Sequence, residues 1–168
     1  MPPSYELYLI RHGVAEERGE AWPDDGKRPL TEGGVARLRR AARTLARLGV
    51  SFDVVLTSPL VRARQTAEFV AAAFSPHPPV INLDALAPGG SPTAVATEIE
   101  KHGRRHHILL VGHEPGLGEL AAWLVGSRNP IPFKKGGICR IDIEGGSMRG
   151  AGTLRWLLTP RILRALKK

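Results

Sequence analysis

The chain has 168 residues, 42% hydrophobic and 24% charged, the balance of an ordinary globular protein, and one domain is expected over residues 1–168. No stretch approaches the roughly 20 apolar residues of a membrane span, and MPPSYELYLI at the start lacks the pattern of a secretory signal, so a cytoplasmic location with no membrane partner is expected. A lone cysteine, Cys139, excludes an internal disulfide and a multi-cysteine metal site, while a net charge of +8 favours acidic partners, phosphorylated substrates or nucleic acid.

Strand and helix signals alternate along the chain. YELYLI (5–10) reads as a strand and is followed by about twenty residues, 11–30, without periodicity, a length that in compact proteins points to function or disorder. Thr31 then caps a helix whose apolar face is Val35, Leu38, Ala42, Leu45 and Leu48, with Gly49 as its stop. DVVLT (53–57) is a second strand. Ser58 is expected to cap the next helix, with Pro59 at its first position. PVINL (79–83) is a weaker strand signal, 91–103 a helix, and HILLVG (107–112) a strand apolar enough to be buried on both faces. A helix over 114–126, two strands around a Gly-rich turn and a short basic helix, PRILRALKK, complete the chain. Cys139 falls in the strand-like ICRIDI, where a core-filling thiol is expected. The alternation predicts a three-layer α/β/α sandwich with a mostly parallel central sheet and an antiparallel edge hairpin.

In open α/β sheets, ligands bind outside the carboxyl ends of the strands. Arg11 and His12 follow the first strand, Ser58 and Arg62 the second, and His113 the fourth. Singly, each has a plainer reading as a solvated or hydrogen-bonded residue. Arg62, however, lies near a helix N-terminus, where a cation opposes the helix dipole at a cost of a few tenths of a kcal/mol. A bound dianion would turn that conflict into cooperation. The guanidinium fork suits phosphate oxygens, and a neutral imidazole nitrogen can accept a phosphoryl group if its other nitrogen is held by a carbonyl. A second, protonated imidazole would stabilise the charge that develops, with no metal required.

RHG at 11–13, RPLTEGG at 28–34, TSPLVRARQTA at 57–67 and VGHEPG at 111–116 together resemble the histidine phosphatase superfamily. Within it, the chain's length and short cover, SPHPPVINLDALAPGGS, are similar to those of the SixA-type phosphohistidine phosphatases. The resemblance implies a two-step transfer through a phosphohistidine on His12. Arg11, Gly13, Arg62 and His113 would bind the phosphate, with a histidine-phosphorylated protein as substrate and no cofactor. Many members place a Glu where this chain has Ala85; Asp84 and Glu114 are the candidate proton donors left nearby. A leaving imidazole is easily protonated, so the departure favours P–N over P–O cleavage.

Three rivals remain. The histidines at 102, 106, 107 and 113 fit no standard zinc spacing, so no metal is expected. Small sugar or nucleoside phosphates are the alternative substrates. A non-catalytic module binding nucleic acid would use the arginines of the 37–47 helix face, among them Arg39, Arg40, Arg43 and Arg47, but aromatic content is only 5%, against the stacking side chains such binding needs; nucleic acid is not expected. Those arginines suit a solvated face or the docking of an acidic phosphoprotein, and KKGG (134–137) a turn near the pocket rim.

Overall fold

The computed structural model describes residues 4–166. Six strands, β1 (Tyr5–Arg11), β2 (Val54–Thr57), β3 (Val80–Asn82), β4 (His107–Gly112), β5 (Ile138–Ile143) and β6 (Gly152–Leu158), form one sheet in the order β3-β2-β4-β1-β5-β6. The first four are parallel to one another, and β5 and β6 make the expected antiparallel hairpin at one edge.

Alternation along β1 sends Leu7 and Leu9 to one face of the sheet and Tyr8 and Ile10 to the other. Helices α1 (Glu32–Arg47), α2 (Val61–Ala71) and α5 (Pro160–Ala165) cover the Tyr8 face, and α3 (Pro92–Lys101) and α4 (Gly116–Val125) cover the Leu7 face. β4 lies in the middle and is apolar on both sides because both are covered: Ile108 and Leu110 face α3 and α4, Leu109 and Val111 face α1 and α2. Cys139 is fully buried in this core, and burial pushes its thiol up to about 12, so it is inert filler. Among the described residues no helix is long and apolar enough to cross a membrane.

Two local expectations need correction. Leu48 is not on the buried face of α1; it is the C-cap residue and is 54% exposed. Ser58 does not cap α2, which starts at Val61 after Leu60, and Pro59 precedes the helix rather than opening it. Ser58 Oγ does accept from the Leu60 N–H, but its shorter bond is to a histidine across the sheet.

The long stretch after β1 is held by few backbone bonds: one bridge, Ala15 to Leu30, and a 3-10 turn at Asp25–Lys27. Thr31 caps α1 as expected, accepting from the Gly34 N–H, and its own N–H donates to the Val14 carbonyl. A Cβ on Gly34 would run into that same carbonyl, which accounts for glycine here: the start of α1 must touch the chain two residues beyond His12.

Candidate active site

The strand order creates the site. Because β4 lies between β1 and β2, their carboxyl ends are adjacent, and the hydrogen-bond ladders run one residue further on each side. His12 N–H donates to the Gly112 carbonyl at 3.1 Å and Ser58 N–H to the Val111 carbonyl at 3.0 Å. His12, Ser58 and His113 therefore leave the sheet side by side. The two imidazoles lie with ring centroids 5.1 Å apart, and both are buried.

His12 Nδ1 is 2.7 Å from the Gly13 carbonyl oxygen. A carbonyl only accepts, so Nδ1 carries the proton and Nε2 keeps its lone pair. His113 Nε2 is 2.7 Å from Ser58 Oγ, a group that both donates and accepts. Burial, reinforced by the Arg62 and Arg11 guanidiniums, pushes His12 down to about 3 and His113 to about 4, so both are neutral in the free protein near neutrality.

Two guanidiniums flank the pair. Arg11, the last residue of β1, donates from Nη1 to the Phe133 carbonyl at 2.9 Å. Arg62, second residue of α2 and buried, donates from Nη1 to the Asp25 carbonyl at 2.8 Å and from Nη2 to Asp25 Oδ2 at 3.0 Å. Asp25 Oδ1 accepts from Arg28 Nε at 2.9 Å. Burial alone would raise Asp25, but its bonds and charge contacts with Arg28 and Arg62 outweigh that and hold the carboxyl below its usual value. Thr66 Oγ1 donates to the Arg62 carbonyl and accepts from the Gly13 N–H, tying α2 to the residue after His12.

Among the described residues, three buried nitrogens around His12 have no hydrogen-bond partner: Arg11 Nε, Arg62 Nε and His113 Nδ1. Buried donors are rarely left unpaired, and such a set suits a tetrahedral anion. The three nitrogens lie about an imidazole whose Nε2 carries a lone pair.

The two candidate proton donors fare differently. Asp84 is exposed at the start of a 3-10 turn (Asp84–Leu86) and does not line the cavity of about 160 Å³ between residues 85–92 and 112–120. Glu114 does line it, and burial raises its carboxyl, but Oε1 accepts from the Gly118 N–H at 2.8 Å within α4. Ala85 is on the same cavity wall. Lys134 and Lys135 are exposed, while the following Gly136 donates its N–H to the carbonyls of Arg11 and His12 and so fastens the end of β1. His106 and His107 are spent on Ser4 and Ser51, and no group of three or more His, Cys, Asp or Glu side chains suited to a metal occurs among the described residues.

Sequence reasoning missed Asp25, Arg28 and Thr66, and misassigned Ser58. Arg28 and Thr66 do fall inside the motifs RPLTEGG and TSPLVRARQTA, whereas Asp25 lies in a stretch that carries no pattern at all.

Fold and side chains together define an α/β protein with two imidazoles and two guanidiniums gathered at the carboxyl ends of parallel strands. A sequence model of the histidine phosphatase superfamily (branch 1) matches residues 7–87. The chain is 30% identical over 155 residues to a phosphohistidine phosphatase SixA homologue of Haemophilus influenzae, covering 83% of this chain and 88% of that one. It is 28% identical over 164 residues to the phosphohistidine phosphatase SixA of Escherichia coli, covering 96% and 98%. A solved structure of the protein histidine phosphatase SixA complexed with tungstate superposes with a TM-score of 0.83 at 28% identity, over 94% of this chain and 99% of that one. The chain belongs to the histidine phosphatase superfamily and is a phosphatase of its SixA type.

Proposed function

We propose that the protein hydrolyses phosphohistidine in a partner protein, through a covalent phosphohistidine on His12 and without a metal ion. His12 Nε2 attacks phosphorus in line, and its new P–N bond forms as the bond to the substrate imidazole breaks. The leaving nitrogen keeps the electron pair and takes a proton from solvent. Water then cleaves the P–Nε2 bond, releasing phosphate and neutral His12. Arg11 and Arg62 hold the phosphoryl oxygens; Gly13, expected to join them, has its N–H committed to Thr66 Oγ1 and its carbonyl to His12 Nδ1. His113, gaining a proton as the dianion binds, stabilises the charge of the transition state.

The observation that carries this reading is the set of unpartnered nitrogens on Arg11, Arg62 and His113 beside an imidazole whose tautomer is fixed by the Gly13 carbonyl. Two features favour a protein substrate over a small ester. Only the short cover SPHPPVINLDALAPGGS lies between Phe74 and α3, which leaves the site open to a protein surface. Ala85 offers no acid on the cavity wall beside His113, and Glu114 is engaged with α4. The SixA relatives carry phosphohistidine phosphatase in their names, and tungstate, bound by one of them, is an oxyanion. We place the enzyme in the cytoplasm.

The test compares hydrolysis of a histidine-phosphorylated protein with a panel of phosphomonoesters, in EDTA. Preference for phosphohistidine, and loss of turnover in His12→Ala with an unchanged circular dichroism spectrum, are expected. Preference for a small ester would overturn the substrate, dependence on added metal would overturn the metal-free chemistry, and near-normal activity of His12→Ala the nucleophile.

A further inference from the structure

A trough of positive charge leads away from the phosphatase pocket along the seam between α1 and α5. Two hollows of about 130 and 380 Å³ adjoin, sharing Ala41 and Arg164 as wall residues. The inner one begins at Gly13, the residue after His12, and passes Arg37 and Lys135; the outer one continues between Arg40, Arg43 and Arg47. No carboxylate and no aromatic side chain lines either hollow, and the buried Leu163 lies in the floor of the outer one.

Some surface arginines are compensated and others, such as Arg104, Arg128, Arg149 and Arg161, form no ion pair with a described carboxylate; the trough is set apart by gathering several such cations along one hollow. Arg64 pairs with Glu68, Arg140 with Glu6 and Asp142, and Arg155 with Asp142. Arg39, on the same helix, lies over the Phe69 ring at 4.8 Å. By contrast Arg37, Arg40, Arg43, Lys135 and Arg164 are exposed, and none forms an ion pair with a described carboxylate. Like charges three and four residues apart on one helix cost a few tenths of a kcal/mol per pair. A row of them without a carboxylate along the hollow, which ends at Gly13, the residue after His12, matches a ligand of opposite charge.

We propose that this trough docks an acidic polypeptide segment of the phosphoprotein substrate, beside its phosphohistidine. The inference rests on the proposed phosphohistidine activity, because the occupant must be joined to the group that His12 attacks. Carboxylates spaced along an extended or helical segment would meet guanidiniums on either wall, while apolar side chains would rest on Ala41 and Leu163. A nucleic-acid strand would instead call for aromatic side chains to stack its bases, and the trough has none. Contacts of this kind act over a Debye length of about 8 Å at physiological salt, so they set encounter rate and salt dependence more than chemistry.

The test uses the double variant Arg40→Glu/Arg43→Glu, two exposed residues outside the phosphate pocket. Calorimetric titration with a glutamate-rich peptide is expected to show binding to the wild type that about 0.5 M salt suppresses, and at least about tenfold weaker binding to the variant. For kcat/KM, we expect a fall of at least about tenfold on an acidic histidine-phosphorylated protein, with phosphoramidate turnover within about twofold of wild type. Unchanged peptide binding and protein turnover would overturn the docking site. So would tighter binding of a single-stranded oligonucleotide through the same arginines, which would assign the trough to nucleic acid. If the wild type itself fails on phosphohistidine, the substrate reading falls, and peptide binding alone then judges the trough.

Discussion

Two neutral histidines buried among arginines make stability fall as the medium is acidified. Unfolded imidazoles titrate near their ordinary 6.5, whereas folded His12 and His113 are held to about 3 and about 4. Below 6.5 the unfolded chain therefore binds protons that the folded protein refuses, and stability is lost as pH falls through that window. Between about pH 7 and pH 5 each histidine contributes a loss of about 2 kcal/mol, about 4 kcal/mol for the pair. For a chain of this size that is a fall in Tm of about 8–16 °C. The assay is urea unfolding of the wild type, His12→Ala and His113→Ala at both pH values, comparing the pH dependence rather than the absolute stability. Each variant should lose about half of the histidine contribution. If both variants keep the wild-type slope, the histidines are not buried as neutral bases and the electrostatic account of the pocket fails.

Other perturbations test the supports of the site. Asp25→Asn removes the carboxylate that holds Arg62 Nη2 and Arg28 Nε; we expect kcat/KM to fall about tenfold with less than about 1 kcal/mol lost in urea unfolding, and an unchanged kcat/KM would show that Asp25 does not position Arg62. Arg62→Ala should cost about 10²–10³ in turnover, judged by steady-state kinetics beside a thermal melt; full activity would remove it from the oxyanion site. Gly34→Val forces a side chain against the Val14 carbonyl and should cost about 1–3 kcal/mol, so an unchanged melting curve would contradict the close approach. Ala85→Glu places a carboxyl on the cavity wall beside His113 and should raise ester hydrolysis by up to about 10²-fold relative to phosphohistidine; no gain in a stably folded variant would mean that the missing acid does not set the bond preference.

The parts of this molecule legible in its sequence are those where one segment determines the outcome. HILLVG announces a doubly covered strand because nothing polar interrupts it, and Thr31 announces a helix start because its hydroxyl has an N–H to accept from. Arg11, His12, Arg62 and His113 are legible as candidates because strand ends are where such folds bind ligands, even though strand order is unreadable in one dimension. That β4 separates β1 from β2 is a tertiary fact, and it alone makes His12 and Ser58 flank His113. Ser58 shows the cost: local rules make Ser-Pro a helix start, yet its hydroxyl serves a histidine 55 residues away. Asp25 was invisible for the same reason, since its value comes from reaching Arg62 across 37 residues.

The two histidines face one problem with opposite requirements. Under the proposed chemistry His12 must keep Nε2 unprotonated, while His113 must change its charge between the free and the loaded enzyme. Their hydrogen-bond partners divide the task. The Gly13 carbonyl accepts and never donates, so it fixes the proton of neutral His12 on Nδ1 in every state. Ser58 is a hydroxyl: it donates to a neutral His113 Nε2 and, by rotating, accepts from a protonated one. His113 Nδ1, without a partner among the described residues, is left to meet a phosphoryl oxygen. A dianion in the pocket raises the proton affinity of His113 at the moment when positive charge is useful, and departure of phosphate lowers it again. The free enzyme thereby avoids a buried imidazolium beside buried Arg62 and half-buried Arg11, a state that burial already opposes.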